Sequence, residues 1–167
     1  MRPDLHARYG CEVVMRIGIN TGYAIAGNMG SSSRFNYTVL GDAVNLAARL
    51  EGANKYLGIR TMISRATRER LGSQFYCREV GRIRVVGRKE PVTVFEALSF
   101  AVSPLKDYAA FGRGLQLFYA GQFREAWAEF VTSSKEDPAA AMYTRLCVAM
   151  QEKPPEQWEG IFDLRSK

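Results

Sequence analysis

Two polar side chains stand one helical turn apart in the segment NYTVLGDAVNLAARLE, residues 36–51. Asn45 and Arg49 are four positions apart, so an α-helix places both on one side. An arginine offers a rigid fork of donors for phosphate oxygens, and an asparagine amide can orient a sugar hydroxyl. Thr38 and Asp42 lie just upstream, at a predicted strand end and in the following turn. The same spacing also fits a capped surface helix without chemistry, and spacing alone favours that interpretation.

The helix that must position these side chains is predicted to run from Asp42, acting as N-cap, to about Tyr56. One apolar stripe recurs at helical spacing and can anchor the helix in a core; it consists of Ala43, Leu46, Ala47, Leu50 and Leu57. Asn45 and Arg49 project from the other side of the predicted helix. Both could therefore reach a cleft while the helix stays anchored.

Strand and helix signals alternate through residues 1–100 without a regular βαβ repeat, which favours the α+β class. Runs of β-branched and apolar residues predict strands over 12–19, 23–27, 36–40 and 60–64, one or two strands over 74–87, and a last strand over 90–98. The glycines and serines of 27–34 predict a flexible loop. Ser64 is placed to cap a short helix in RATRERL.

Residues 101–167 are predicted to form a separate helical segment, because helix formers dominate from Tyr108 onward. Four positions match the spacing of a tetratricopeptide-type helical hairpin: Gly114, Ala126, Phe130 and Pro138. Ala110 and Leu117 occupy the Trp and Tyr positions of that pattern, so a plain helical hairpin fits equally well. A single repeat cannot bury its own apolar face, so we expect this tail to pack on residues 1–100 or on a partner.

Composition argues against a membrane span and against histidine- or cysteine-based metal sites. The 167 residues are 47% hydrophobic and 24% charged, and no apolar run approaches the ~20 residues of a membrane span. Since no signal-peptide pattern opens the chain, we expect a cytoplasmic protein without direct membrane contact. The three cysteines, Cys11, Cys77 and Cys147, lack metal-ligand spacing and are interpreted as reduced thiols. A single histidine, His6, excludes a histidine-based metal site or catalytic triad.

The basic residues are concentrated in one segment. The net charge is +6, and residues 60–90 hold nine basic and three acidic residues, which account for all of it. Such a segment suits a polyanion such as a triphosphate or nucleic acid, although a solvated arginine-rich surface is the simpler interpretation. No nucleic-acid motif accompanies the charges, so we expect no nucleic-acid partner. The glycines of 18–30 match neither a phosphate loop nor a dinucleotide fingerprint.

Three longer segments carry a family resemblance. RIGINTGYAIAGNMGSSSRFNYTVLGDAVNLAARLE (16–51) resembles the second half of a class III nucleotidyl cyclase domain of the bacterial adenylate cyclase type. VGRIRVVGRKEPVTVFEAL (80–98) resembles the end of that domain, and PPEQWEGIFDL (154–164) resembles the helical extension of some bacterial members. The resemblance implies a partial ferredoxin-like cyclase domain over 1–100, a helical extension over 101–167, and conversion of ATP to cyclic AMP and pyrophosphate.

The resemblance also implies roles for single residues. Arg49 matches the arginine that stabilises the pentavalent phosphorus while the ribose 3′-hydroxyl attacks the α-phosphate. Asn45 matches the asparagine that orients the ribose, and Thr38 matches a base-recognition position associated with adenine. Asp42 matches a helix-start position and is a further nucleotide-binding candidate. Family members form head-to-tail dimers with their sites between the chains, so we expect a homodimer or pairing with a complete cyclase domain.

Two features depart from the family pattern. The two aspartates that bind Mg²⁺ or Mn²⁺ in the intact domain, and a base-recognising lysine, belong to its first half. We expect this chain to lack them, since Asp4 and Glu12 do not replace them. Val86 occupies the position of a triphosphate-contacting lysine, and Arg88 is the nearest basic candidate. Two hypotheses stay open: an adenylate cyclase with very low activity alone, or a non-catalytic dimerisation or nucleotide-binding module with a docking tail.

Overall fold

The computed structural model describes residues 7–10, 14–31, 34–85, 87–98 and 108–164. In chain order the elements are β1 (Ile17–Ile19), β2 (Ile25–Ser31), β3 (Arg34–Leu40), α1 (Asp42–Leu57), β4 (Thr61–Ser64), α2 (Arg65–Arg68), β5 (Tyr76–Val85), β6 (Val92–Leu98), α3 (Ala109–Tyr119), α4 (Phe123–Val131), α5 (Pro138–Glu152) and β7 (Phe162–Leu164). Strands and helices are mixed along the chain, which confirms the predicted α+β class.

A five-stranded mixed sheet has the strand order β1-β4-β6-β5-β7. β1 runs parallel to β4, with Ile17 opposite Thr61, while β6 lies antiparallel between β4 and β5. β7 adds a parallel edge strand to β5, with Ile83 opposite Phe162. The sequence did not predict β7, because a three-residue strand has almost no periodicity and its partner is distant in the chain.

Two predicted strands have different bounds in the structure. β1 covers only the end of the strand predicted over 12–19, and residues 12–13 of that prediction lie outside the described residues. The segment 74–87 contains one strand, β5, whose register shifts between Glu79 and Gly81. Such a bulge bends a strand without ending it, so β5 continues as far as Val85.

The flexible loop predicted over 27–34 is wrong for residues 27–31 and 34, while residues 32 and 33 lie outside the described residues. β2 extends to Ser31 and β3 begins at Arg34, and the two strands form an antiparallel pair, called the β2–β3 hairpin below. Gly27 lies opposite Thr38 in this hairpin. The hydrogen bonds of a strand pair involve only backbone groups, so the small side chains of the segment do not prevent pairing.

Helix α1 packs on β1 and β4 through one apolar stripe, as predicted. Leu46, Leu50 and Leu57 of this stripe are buried. β1 approaches the helix so closely that a Cβ on Gly18 would lie 2.3 Å from the carbonyl oxygen of Ala47. Only glycine allows this separation, so the position of α1 depends on the residue at 18.

The start of α1 differs from the prediction. Gly41 is the N-cap residue, no described side chain caps the helix, and Asp42 is its first residue. The Asp42 carboxylate pairs instead with Arg88, with Oδ2 3.4 Å from Nη2. At α2 the prediction is confirmed, because the hydroxyl of Ser64 accepts a hydrogen bond from the backbone amide of Thr67.

Within residues 108–164, the described part of the tail, there are three helices rather than a single hairpin. Gly114 of α3 packs on α4, where an added Cβ would lie 2.9 Å from the ring of Phe130. Ala126 and Phe130 are buried, and Pro138 is the first residue of α5. The four positions of the tetratricopeptide spacing therefore lie inside or at the start of helices. Assignment of the tail to that repeat class stays a prediction.

The tail packs on the sheet, as expected. The hydroxyl of Tyr143 in α5 donates to the Val80 carbonyl of β5 at 2.8 Å. Arg78 of β5 makes a buried two-fold hydrogen bond with Asp137, the N-cap residue of α5. One hydrophobic cluster joins α1, the sheet and the tail and includes Leu50, Val80, Phe111, Phe130 and Tyr143. The predicted division at residue 100 falls within 99–107, outside the described residues, and stays a prediction.

Candidate functional site

Asn45 and Arg49 lie one turn apart on α1, outside the buried stripe of Leu46 and Leu50. Asn45 is exposed and Arg49 is half-buried. The Asn45 backbone amide belongs to the first turn and donates to the Gly41 carbonyl at 3.2 Å. A helix anchored by its apolar stripe therefore presents both polar groups from one rigid element.

The guanidinium of Arg49 lies against the turn between β5 and β6, residues 87–91, called the 87–91 turn below. A Cβ on Gly87 would lie 3.1 Å from Nη2 of Arg49 and 3.6 Å from its Cζ. Gly87 also has a φ angle of +76°, a conformation that favours glycine. The turn leaves room for Arg49 because residue 87 has no side chain. No sequence pattern indicates this contact.

Arg88 of the same turn forms an ion pair with Asp42, so two of the predicted nucleotide-binding residues are neighbours. The side chain of Asp42 is 67% exposed and that of Arg88 is 28% exposed. Ion pairs of this kind contribute about 0–1 kcal/mol, so a bound phosphate group could displace the carboxylate from Arg88. The 87–91 turn thus presents the guanidinium of Arg88 beside the cleft and lies against the guanidinium of Arg49 on α1.

The Asp42–Arg88 pair borders an open cleft of about 490 Å³. The other polar side chains of its wall were not predicted as site residues; they are Asn20, Thr21, Ser64, Arg65 and Thr93. The hydroxyls of Thr21 and Thr67 are 3.1 Å apart behind this wall. β1 and β4 are parallel neighbours, so polar residues that follow them meet at one edge of the sheet. That topological rule was the available signal for Asn20, Thr21, Ser64 and Arg65, whereas Thr93 lies on β6.

Thr38 lies on the β2–β3 hairpin and is half-buried. No hydrogen bond within the described residues joins Thr38 to Asn45 or Arg49. The hairpin, β1 and the residues next to β1 expose many large apolar side chains, called the apolar surface below: Val14, Met15, Ile17, Ile19, Tyr23, Ile25, Phe35, Tyr37, Val39 and Leu40. Tyr23 is 100% exposed and Tyr37 is 75% exposed. Exposed apolar side chains in this number are typical of a surface that associates with another chain.

The described residues do not fit a divalent-metal site. Among them, no group of three or more His, Cys, Asp or Glu side chains is placed to hold an ion. The two carboxylates of α1 already face cations, since Asp42 pairs with Arg88 and Glu51 pairs with Arg16 at 3.2 Å. The other positions considered from the sequence lie outside the described residues; these are Asp4, His6, Glu12 and Val86.

The two cysteines in the described part of the chain, Cys77 and Cys147, are free thiols, and Cys11 lies outside it. Burial raises the pKa of the Cys147 thiol to about 12, so this group stays protonated at neutral pH. No helix in the same part of the chain is long and apolar enough to cross a membrane.

Comparison with known proteins assigns residues 4–97 to the family model described as the adenylate and guanylate cyclase catalytic domain. The terminal-differentiation specific adenylate cyclase of Dictyostelium discoideum is 31% identical over 143 residues, which are 79% of this chain and 7% of that protein. Adenylate cyclase 1 of Rhizobium meliloti is 36% identical over 87 residues, which are 52% of this chain and 13% of that protein. The chain therefore spans a small part of the length of these curated relatives.

A solved structure is similar as well. The adenylyl cyclase CyaB from P. aeruginosa is 34% identical and superimposes with a TM-score of 0.52, over 59% of this chain and 50% of that chain. The segment matched by the family model includes α1 with Asn45 and Arg49, and it includes the 87–91 turn. Helices α3, α4 and α5 lie after that segment.

Proposed function

Because the chain belongs to the family of adenylate and guanylate cyclase catalytic domains, we propose that it supplies one half of a site that converts ATP to cyclic AMP and pyrophosphate. The observation that carries the proposal is the pair Asn45 and Arg49, presented one turn apart by an anchored helix. The contact of Arg49 with the glycine of the 87–91 turn supports a defined position for its guanidinium. ATP is proposed over GTP because the relatives reported above are named adenylate or adenylyl cyclases.

In the proposed reaction the ribose 3′-hydroxyl of ATP loses its proton to water and its oxygen attacks the α-phosphorus. A new P–O bond closes the ring, the bond from the α-phosphorus to the bridging oxygen breaks, and pyrophosphate leaves. Negative charge builds up on the oxygens around the phosphorus during this step. Arg49 stabilises that charge, so its loss is expected to lower turnover more than substrate binding. Asn45 orients the ribose so that the hydroxyl is in line with the leaving group.

Two further residues are proposed to bind the nucleotide, and Asp42 is proposed to position one of them. Thr38 on β3 contacts the adenine, and Arg88 contacts the triphosphate. Asp42 holds Arg88 at the border of the cleft until the nucleotide arrives, because its carboxylate pairs with the same guanidinium. Binding of a phosphate to Arg88 exchanges one anionic partner for another, which keeps the cation paired in both states.

The remaining half of the site is proposed to come from a second chain in a head-to-tail arrangement. The apolar surface supports this, because its large apolar side chains are exposed to solvent in the single chain. Class III cyclases generally use divalent metal ions, here proposed as Mg²⁺ or Mn²⁺, and the described residues do not gather ligands for them. The metal-binding half would therefore belong to the partner, which is a complete cyclase domain.

A cyclic AMP assay with ATP and Mg²⁺ or Mn²⁺ tests the proposal. We expect near-background turnover from the purified chain alone and an increase when a complete cyclase domain is added. The increase should disappear with Arg49→Ala and persist with Arg113→Ala, a control whose guanidinium pairs with Glu129 on the tail. Robust turnover by the chain alone would contradict the assignment of the metal-binding half to a partner.

A second function is favoured by the lack of a metal-ligand cluster among the described residues: a non-catalytic module that dimerises or binds nucleotide, with the tail as a docking surface. Calorimetric titration with ATP and sedimentation analysis distinguish the two functions. ATP binding or stable association, without turnover in any mixture with a complete domain, would favour the non-catalytic module.

A further inference from the structure

The 87–91 turn is held by an arginine of β5 that also binds the end of the tail. Nε of Arg84 donates to the carbonyl of Lys89 in the turn at 3.1 Å. Nη1 donates to the Asp163 carboxylate at 3.1 Å, and Nη2 donates to Glu159 Oε2 at 2.8 Å. All three nitrogens of the guanidinium are therefore used, one toward the turn and two toward carboxylates of the tail.

The tail residues that bind Arg84 are themselves fixed. In the β5–β7 ladder, Arg84 lies opposite Asp163 and Val85 lies opposite Leu164. Upstream of β7, Nε1 of Trp158 donates to the Phe118 carbonyl of α3 at 2.8 Å. The segment 158–164 is thus attached to the sheet at one end and to helix α3 at the other.

The 87–91 turn also contacts the candidate residues on α1. Arg88 pairs with Asp42. Gly87 has no side chain, which leaves space beside the guanidinium of Arg49. One short chain of contacts therefore runs from the tail through Arg84 and the backbone of Lys89 to both cations of the proposed site.

We propose that Arg84 is a positioning residue through which the tail segment 158–164 fixes the 87–91 turn, and with it Arg88 and the space beside Arg49. The proposal deepens the proposed function and rests on it, because that function gives Arg49 and Arg88 their roles. The side chain of Arg84 is 30% exposed and that of Glu159 is 64% exposed, so their attraction contributes little to global stability. The effect of Arg84 is the local geometry of the turn, set by a planar fork with three partners.

Hydrogen exchange of the full chain, followed by mass spectrometry, tests the proposal without any need for activity. In Arg84→Met the amides of residues 87–90 should exchange about tenfold faster, while amides of β5 and α1 keep their protection. The double variant Glu159→Gln with Asp163→Asn should reproduce this local change. Arg84→Lys should not restore protection, because one ammonium cannot bond the Lys89 carbonyl and both carboxylates together.

Arg113→Met is the matched control, since Arg113 donates to both oxygens of Glu129, at 3.1 and 2.9 Å, far along the chain from the turn. Unchanged exchange of the turn in Arg84→Met would overturn the proposal. Faster exchange throughout the chain, with a lower urea midpoint, would also overturn it, because that result indicates a general structural role.

Calorimetric titration with ATP separates this inference from the proposed function. If the wild-type chain binds ATP, Arg84→Met should weaken binding and Arg113→Met should not. If the wild-type chain binds no ATP alone and adds no ATP binding to that of a complete cyclase domain, the nucleotide half of the proposed function fails, and the exchange measurement still decides whether Arg84 positions the turn.

Discussion

The buried ion pair between the sheet and the tail provides the sharpest stability prediction. Asp137 is 1% exposed and Arg78 is 8% exposed, so water cannot replace either partner. Removal of one charge from a buried pair costs about 3–5 kcal/mol. Arg78 keeps a second carboxylate, Glu96, at 2.7 Å, so we expect the lower end of that range for Asp137→Asn, about 3 kcal/mol.

Asp137→Ala should cost more than Asp137→Asn. Oδ1 of Asp137 also accepts from the Ala139 amide at 3.1 Å and so caps α5. Asparagine can keep this cap, whereas alanine loses it at a further cost of about 1 kcal/mol. The expected total for Asp137→Ala is therefore about 4 kcal/mol, against a free energy of unfolding of about 5–15 kcal/mol for a domain.

Urea unfolding measures these differences. With a denaturant slope of about 1–3 kcal/mol/M, the midpoint of Asp137→Asn should fall by about 1–3 M. The control Glu129→Gln breaks the exposed pair with Arg113, which is 60% exposed, and should cost at most about 1 kcal/mol. A midpoint for Asp137→Asn that equals that of Glu129→Gln would refute the conclusion that this pair fixes the tail to the sheet.

Two further predictions concern the core. Gly18→Ala should lower the melting temperature by about 2–12 °C, because its Cβ would lie 2.3 Å from the Ala47 carbonyl oxygen. Overpacking costs about 1–3 kcal/mol, and each kcal/mol shifts the melting temperature of a chain of this length by about 2–4 °C. Gly27→Ala, which meets nothing within 4 Å, is the calorimetric control, and equal melting temperatures would contradict the close packing of β1 on α1. Burial raises the pKa of Cys147 from 9.0 to about 12, so between these pH values the unfolded thiol loses its proton while the folded one keeps it, and stability falls as pH rises. In Cys147→Ala the unfolding free energy should decline less steeply between these pH values, by up to about 1.4 kcal/mol per pH unit. Parallel declines in the wild-type chain and in Cys147→Ala would show that Cys147 does not titrate as described.

Local features of the fold could be predicted from the sequence, and contacts between distant residues could not. The stripe containing Leu46 and Leu50 predicts α1 because helix periodicity is a property of one short segment. The spacing of Asn45 and Arg49 follows from the same helix. The extension of β2 to Ser31 and of β3 back to Arg34 was missed. It depends on backbone pairing, and small side chains give no sequence signal for such pairing.

The environment of the candidate site depends on contacts across the fold. Gly87 contacts Arg49, and Arg84 binds Asp163, although each pair is far apart in the sequence. No periodicity or motif relates such residues, since the strand order and the packing of α1 on the sheet bring them together. The cleft residues at the ends of β1 and β4 needed the same topology before they could be recognised.

The central claim, that this chain supplies the Asn and Arg of a shared cyclase site, is tested most directly by complementation. The partner is a complete cyclase domain of CyaB from P. aeruginosa in which the residues matching Asn45 and Arg49 are replaced by alanine. We predict that the wild-type chain restores cyclic AMP formation in the mixture. Arg49→Ala should lower the restored kcat by about 10²–10³ while sedimentation shows the same association. Equal restoration by Arg49→Ala, or no restoration by a wild-type chain that associates with the partner, would contradict the claim.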